Sequence, residues 1–216
     1  NSNASGALAD KRDYGLCKQY PDGKYKPTGV IQKYADQIRL SAFGYLMDQT
    51  ASYDNGRYGG VLRAPMKYVG QKNVDINGRE EIGTNSRAEW DNNTGIFIIN
   101  PEGDSTFGTS GVINYLNQFG RTGPTPGRYK KFDPVGEMYY QSLRYLQGLP
   151  PTNDAIKDLG TLAKSNTLYD GFPVYTDWSS LDPYGGGRSS TDNYACLKSN
   201  VVVIGDINTH DGDWRN

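Results

Sequence analysis

Two aspartates stand where a carboxylate could bind a divalent cation. Asp206 follows closely on the apolar run 201–204, and Asp133 directly precedes a predicted helix. If that strand and helix are neighbours in an α/β sheet, both carboxylates face one crevice, because ligands in such sheets bind at the carboxyl ends of the strands. Oxygen ligands of this kind suit hard cations such as Mg²⁺ or Ca²⁺. We therefore predict Asp206, Asp133 and Asn208 as candidate ligands of a divalent cation.

The same residues also have simpler structural interpretations. A Gly-Asp pair can merely end a strand, and Asn208 can begin a turn. An aspartate directly before a helix is a common N-cap, which accounts for Asp133 without a metal. The sequence alone leaves both interpretations open.

No catalytic motif accompanies these carboxylates. The sequence has no GxSxG, Walker or HExxH pattern, and His210 is its single histidine. We therefore expect a protein that is not an enzyme. Two alternatives remain. One is a secreted metal-dependent hydrolase that uses Asp206, His210, Asp211 and Asp213 around a cation, and the other is a carbohydrate-binding module that uses exposed Tyr and Trp side chains.

The composition limits the possible classes of protein. Of 216 residues, 36% are hydrophobic, and there are 27 Gly, 11 Pro and 17 Tyr, which predicts long ordered loops on a modest core. The 23 basic and 24 acidic residues nearly cancel, which disfavours nucleic-acid binding. No apolar stretch approaches the roughly 18 to 20 residues of a transmembrane segment. Cys17 and Cys196 lack metal-ligand spacing, so they are candidates for a disulfide with each other or with cysteines outside this segment.

Several segments are predicted to position the candidate ligands. Apolar residues on one helical face predict a helix over 30–38, and a period of two predicts a strand over 39–47. That strand is expected to pair with residues 58–66, whose Pro65 favours a strand edge or a strand end. The run 201–206 predicts a buried strand that is covered on both faces.

The clearest helix is predicted to begin after Asp133. In this interpretation Asp133 is the N-cap, Pro134 takes the first helical position, and Gly148 ends the helix. An apolar stripe along this helix indicates a buried face. We expect its tyrosines to be core or half-core residues: Tyr139, Tyr140 and Tyr145.

The rest of the chain is predicted to be largely irregular. Residues 1–28 form a lead-in that contains a strong turn signal, and 112–119 is compatible with a short helix. We interpret about 67–109 as an insertion with its own small β element, and about 151–193 as a second insertion. Loops on a rigid scaffold often carry the binding surface.

Seven short motifs follow one another over most of residues 17–210. They are YPDGKYKPTGVIQKYADQIRLSAFGYL, GGVLRAP, EWDNNTGIFIINPEG, SGVINYLNQFG, KKFDPVGEMYYQSLRYLQG, DGFPVYTDW and CLKSNVVVIGDINTH. In this order they resemble the N-terminal region of PilY1/PilC-type type IV pilus proteins. Each motif is modest, but the shared order makes the resemblance specific.

The resemblance implies an α/β fold with a von Willebrand factor A-like doubly wound sheet and large irregular insertions, in a single domain over residues 1–216. The helix after Asp133 resembles the one that starts at the metal-site threonine of such domains, with Asp133 at the threonine position. The strand that ends at Asp206 resembles the one that carries the later metal-site aspartate. The resemblance thus implies the same cation site as the two carboxylates do.

The resemblance also implies a function. Proteins of this kind act in type IV pilus biogenesis, surface adhesion and twitching motility. We therefore expect a non-enzymatic module at the bacterial cell surface, extracellular and associated with the pilus tip or the outer membrane. Its expected partners are minor pilins or other pilus components, a host or abiotic surface, and its own C-terminal propeller domain.

Overall fold

The computed structural model describes residues 17–47, 59–75, 78–118, 134–184 and 197–205. Within these ranges the two longest strands are β3 (Arg39–Gly44) and β4 (Val61–Tyr68), which pair antiparallel. The predicted pairing of 39–47 with 58–66 is therefore confirmed. The elements that precede β3 are β1 (Cys17–Gln19), β2 (Tyr25–Pro27) and α1 (Val30–Lys33). Those that follow β4 are β5 (Lys72–Val74), β6 (Glu80–Thr84), α2 (Val112–Gln118), α3 (Val135–Leu146), α4 (Asn153–Ile156) and α5 (Asn166–Tyr169).

Two irregularities interrupt the register of β3 with β4. The paired residues on either side of them are Leu40 with Lys67, Ala42 with Ala64, and Phe43 with Leu62. At each step β4 has one residue more than β3, which is the geometry of a β-bulge. One bulge contains Arg63 and the other falls beside Pro65. Pro65 therefore lies inside β4 and not at a strand end, but β4 belongs to a two-stranded sheet and is an edge strand among the described residues, as the alternative prediction states. The bulge tolerates a nitrogen that cannot donate to the ladder.

The β3–β4 pair lies between helices and loops. Both α2 and α3 pack against it. One apolar cluster joins Ala42 and Ala64 of the strands to Val112 of α2, and Trp90 belongs to the same cluster. A separate cluster joins Leu62 of β4 to Tyr145 of α3 and to Trp178 in the segment after α5. The strand pair is thus the scaffold on which the other elements are positioned.

Helix α3 is confirmed, but its N-terminus differs from the prediction. The helix begins at Val135, and Pro134 occupies the N-cap position without a side-chain cap hydrogen bond. The prediction that Asp133 is the N-cap and Pro134 the first helical residue is therefore wrong by one position. The C-terminus agrees with the prediction. Gly148 has φ +71°, its N–H bonds to Tyr145 O at 3.0 Å, and the Leu149 N–H bonds to Arg144 O at 2.9 Å, as in a Schellman motif.

The tyrosines of α3 divide between two faces. Tyr145 is buried, as expected, together with Gln141 and Ser142. Tyr139 and Tyr140 are 44% and 51% exposed, so their assignment to the core is wrong. At 100° per residue, positions 141, 142 and 145 share one face, whereas 139 and 140 point away from it.

The remaining segments show more order than the sequence indicates. Residues 17–27 form the β1–β2 hairpin around a turn in which the Gly23 N–H bonds to Tyr20 O at 2.8 Å. The predicted helix over 30–38 is shorter, since α1 ends at Lys33. The small β element predicted in 67–109 is the β5–β6 hairpin. The apolar run 96–99 contributes one isolated bridge between Trp90 and Phe97.

The run 201–204 is not the buried strand that the sequence predicts. Within the described part of the chain, residues 201–205 belong to no strand, and Val202 is 85% exposed. β-Branched residues favour a strand only where a partner strand and a covering layer are present, and no described strand pairs with this segment. The described residues form three two-stranded antiparallel sheets, and the doubly wound sheet remains a prediction.

Candidate functional site

The predicted cation ligands fall outside the described residues. Asp133, Asp206 and Asn208 lie in parts of the chain whose placement is not described, as does Cys196. Cys17 is exposed and forms no disulfide with another described residue. Among the described residues, no group of three or more His, Cys, Asp or Glu side chains could hold a metal ion. The cation site and the disulfides therefore remain predictions.

The described neighbours of the two aspartates do lie side by side. A Cβ atom built on Gly205 would stand 3.2 Å from Val135 Cγ2 at the start of α3. Gly205 directly precedes Asp206, and Val135 comes two residues after Asp133. The end of the 201–205 segment thus reaches the N-terminus of α3, while the two carboxylates themselves lie outside the described residues.

A buried ionic cluster, which the sequence analysis missed, connects β4 to the following loops. It consists of Lys67, Arg87, Glu89 and Glu102. Lys67 Nζ lies 3.1 Å from Glu89 Oε1 and forms a second ion pair with Glu102. It also donates to the Arg87 carbonyl at 2.7 Å. Arg87 in turn donates to Glu102 Oε2 through Nε at 2.7 Å and through Nη2.

Glu89 also fixes the start of α2. Its side chain is completely buried and accepts the Val112 N–H at 2.8 Å and the Ile113 N–H at 2.6 Å. These N–H groups have no partner within the helix, and a carboxylate at a helix N-terminus also interacts favourably with the helix dipole. Each charge in the cluster is therefore paired, which is the condition for burying charge at acceptable cost. Neither spacing nor periodicity reveals the cluster, because its members converge only when β4 and the 85–112 region pack together.

Arg63 forms a second buried polar centre. Its guanidinium donates to Tyr169 O at 2.8 Å, to Phe172 O at 3.4 Å and to Tyr45 O. Burial lowers the pKa of Arg63. The guanidinium lies 5.7 Å from the centre of the Tyr115 ring, and burial raises the pKa of that tyrosine. The bulge at Arg63 aims this side chain inward, so that one residue ties β4 to the end of β3 and to the loop after α5.

Among the exposed apolar side chains of the described residues, two sets lie close together in the sequence. One set is the 201–204 segment, in which Val202 and Ile204 are the most exposed. The other set follows Trp90 and comprises Ile96, Ile98 and Ile99. Exposed apolar residues in series indicate contact surfaces. No described helix is long and apolar enough to cross a membrane.

Comparison with known proteins identifies the family of the chain. A family model described as the PilY1 homolog, second domain, matches residues 43–215. A protein of Xylella fastidiosa named type IV pilus biogenesis factor PilY1 homolog is 38% identical over 204 residues, which is 90% of this chain and 15% of that relative. A second protein of the same name and organism is 27% identical over 216 residues, covering 94% of this chain and 13% of the relative. No solved structure matches the chain.

The chain spans only 15% and 13% of the lengths of these two relatives. It therefore corresponds to one domain of much larger proteins. The chain belongs to the PilY1 homolog family. The family resemblance that the ordered motifs predict is therefore confirmed.

Proposed function

We propose that this chain is a non-enzymatic binding domain of a type IV pilus biogenesis factor, which acts at the pilus or the bacterial cell surface. The observation that carries the proposal is the 38% identity over 90% of the chain to a relative named as such a factor. The absence of a catalytic motif in the sequence is consistent with a role in binding. Its partners would be minor pilins or other pilus components and the protein's own C-terminal propeller domain. Adhesion to a host or abiotic surface and a contribution to twitching motility belong to the same proposal, as does the von Willebrand factor A-like fold.

The 201–204 segment is the surface through which we expect such contacts. It is apolar, exposed and free of charged residues, and charged residues are depleted at the centres of protein interfaces. A charged residue within it would disrupt a partner contact without removing a buried side chain. The effect of the substitution would therefore separate binding from folding.

The test replaces Val202 with Asp in the chromosomal gene of the source bacterium. The readouts are surface pili, measured as pilin sheared from the cells, twitching zones, and attachment to a surface. Ile82→Asp is the matched control, because Ile82 is at least as exposed as Val202 but lies on β6. We expect Val202→Asp to reduce surface pili and Ile82→Asp to leave them unchanged. Normal pili, twitching and attachment in a strain that lacks residues 43–215 altogether would refute the proposed role.

We also propose that Asp206 and Asp133, with Asn208, bind a divalent cation that supports adhesion. The contact between Gly205 and Val135 supports this proposal, because it brings the chain neighbours of the two carboxylates together. Carboxylates and an amide oxygen fit Mg²⁺ or Ca²⁺, and the cation would supply a coordination position for a carboxylate of a partner.

Calorimetric titration with MgCl₂ and CaCl₂ tests the cation proposal. We expect binding to the wild-type chain, loss of binding in Asp206→Ala, and weaker binding in Asp133→Ala. Asp154→Ala is the control, since Asp154 is an exposed aspartate in the first turn of α4. Binding that survives in Asp206→Ala would eliminate the proposed site.

A further inference from the structure

A polar cleft of about 420 Å³ lies where five parts of the chain meet. Its walls come from the start of β3, the end of β4, the β5–β6 hairpin, residues 85–87 and residues 182–183. Four of its lining side chains are cationic, namely Arg39, Lys67, Lys72 and Arg87, and one is a carboxylate, Asp182. We infer that this cleft binds an acidic peptide segment, whose carboxylates are held by Arg39, Lys72 and Arg87.

The orientation of the charges favours an acidic ligand. The carboxylates that neutralise Lys67 and Arg87 belong to Glu89 and Glu102, whose side chains are 0% and 5% exposed and which do not line the cleft. The Arg87 side chain, by contrast, is 40% exposed. A ligand that approaches Lys67 and Arg87 therefore meets N–H donors in front, while the carboxylate partners of these two cations lie behind them in the core.

The Arg87 guanidinium is held by Glu102 and has further N–H donors that do not bind Glu102. Its Nε and Nη2 bind Glu102, and a guanidinium carries five N–H donors. Its hydrogen bonds to side chains in the described part of the chain leave Nη1 for a ligand. A guanidinium fixed in this way loses little side-chain entropy when it binds a carboxylate.

Arg39 and Lys72 are likewise fixed at the margins of the cleft. Arg39 Nη1 donates to Pro183 O, and its guanidinium lies 5.8 Å from the centre of the Tyr184 ring. The Lys72 side chain is half exposed, and its Nζ lies 2.8 Å from Glu80 Oε2. The hydrogen bond and the charge of Glu80 raise the pKa of Lys72, so Lys72 stays cationic at neutral pH.

The size of the cleft favours a peptide over a small anion. Its volume is about fourteen times the roughly 30 Å³ that one water molecule occupies in the liquid. The three cations stand on β3, on β5 and on the loop after β6, so a ligand that engages all of them needs several acidic groups on one chain. Because Lys72 and Arg87 each already have a carboxylate partner, binding depends on the placement of donors more than on net charge. It should therefore be modest in strength and sensitive to salt.

Titration of the 216-residue chain with a fluorescein-labelled hexaglutamate peptide tests the inference. Labelled hexaglutamine controls for contacts of the peptide backbone and of the dye, and inorganic phosphate is added as a competitor. The variants are Arg39→Gln, Lys72→Gln and Arg144→Gln. Arg144 is the matched control for Arg39, because it too donates to a proline carbonyl, Pro150 O at 2.8 Å, and stacks on a tyrosine, Tyr140, but lies outside the cleft.

We expect hexaglutamate to bind and hexaglutamine not to bind. Loss of one charge-assisted contact should weaken the binding by about tenfold in Arg39→Gln and in Lys72→Gln, with no change in Arg144→Gln. Thermal unfolding of each variant verifies the fold. If Arg39→Gln does not fold, the half-exposed Lys72 decides the outcome. Equal binding by all variants, no binding by hexaglutamate, or its displacement by phosphate at equal molar concentration would each overturn the inference. The test is independent of the pilus role, because it involves no pilus component.

Discussion

The buried ionic cluster makes a quantitative prediction for Glu89→Gln. The substitution keeps the shape of the side chain but removes its charge. One oxygen becomes an amide group, which cannot accept from the N–H groups of Val112 and Ile113 as both carboxylate oxygens do. Lys67 also loses the partner at 3.1 Å. Breaking a buried pair on one side destabilises a fold by about 3 kcal/mol or more. For a domain of roughly 200 residues, this corresponds to a fall in Tm of about 6 to 12 °C.

Differential scanning calorimetry at neutral pH measures this fall. Glu80→Gln is the matched control, because Glu80 also pairs with a lysine, Lys72, at 2.8 Å. In this pair the side chains of Lys72 and Glu80 are 50% and 62% exposed. Exposed pairs contribute little, so we expect no measurable change in Tm for the control. If Glu89→Gln lowers Tm no more than Glu80→Gln does, Glu89 does not hold β4 and α2 together as described.

Two further predictions concern other parts of the core. A Cβ atom on Gly44 would overlap the hydroxyl group of Tyr115. Gly44→Ala should therefore lower the free energy of unfolding, measured by urea denaturation, by about 1 to 3 kcal/mol. Gly160→Ala is the control and should cause no such loss, because the space around Gly160 is open. Burial raises the pKa of Tyr145 from 10.0 to about 12. In the unfolded chain Tyr145 therefore loses its proton at a lower pH than in the folded chain. The contribution of Tyr145 to stability should be constant below about pH 10 and be lost between about pH 10 and 12. Tm measured from pH 8 to 12 should show a shallower alkaline fall in Tyr145→Phe than in the wild type, and equal slopes would contradict this assignment.

Local patterns predict the strand pair and α3 well. The two-residue period before Gly44 and the turn signal at Gly148 act through backbone geometry, which the local sequence determines. The family is also predictable from the sequence, because seven motifs in one shared order are specific even though each motif alone is weak. These features do not depend on which distant segments come together.

The polar centres could not be predicted, for a physical reason. Arg63 and Glu89 look like ordinary surface charges in the sequence, and they become buried only because distant carbonyl and N–H groups converge on them. The prediction for the run 201–204 is wrong in the opposite sense, because these residues are predicted to be buried and are exposed. Its β-branched residues predict a covered strand, but burial requires a partner that the described part of the chain does not supply.

The buried ionic cluster and the cleft share Lys67 and Arg87. We therefore expect a substitution in the cluster to change stability and peptide affinity in opposite directions. Glu102 holds both cations from the core side. Glu102→Gln should lower Tm, because both cations lose a buried partner. The same substitution should tighten hexaglutamate binding, because the donors of Arg87 and the field of Lys67 become available to the ligand. Measuring Tm and peptide affinity on one preparation tests this coupling, with Asp154→Asn as the control, because Asp154 is exposed on α4 and does not line the cleft. If stability and affinity both fall, Glu102 supports the cleft by positioning Arg87 and does not compete with the ligand for its charge.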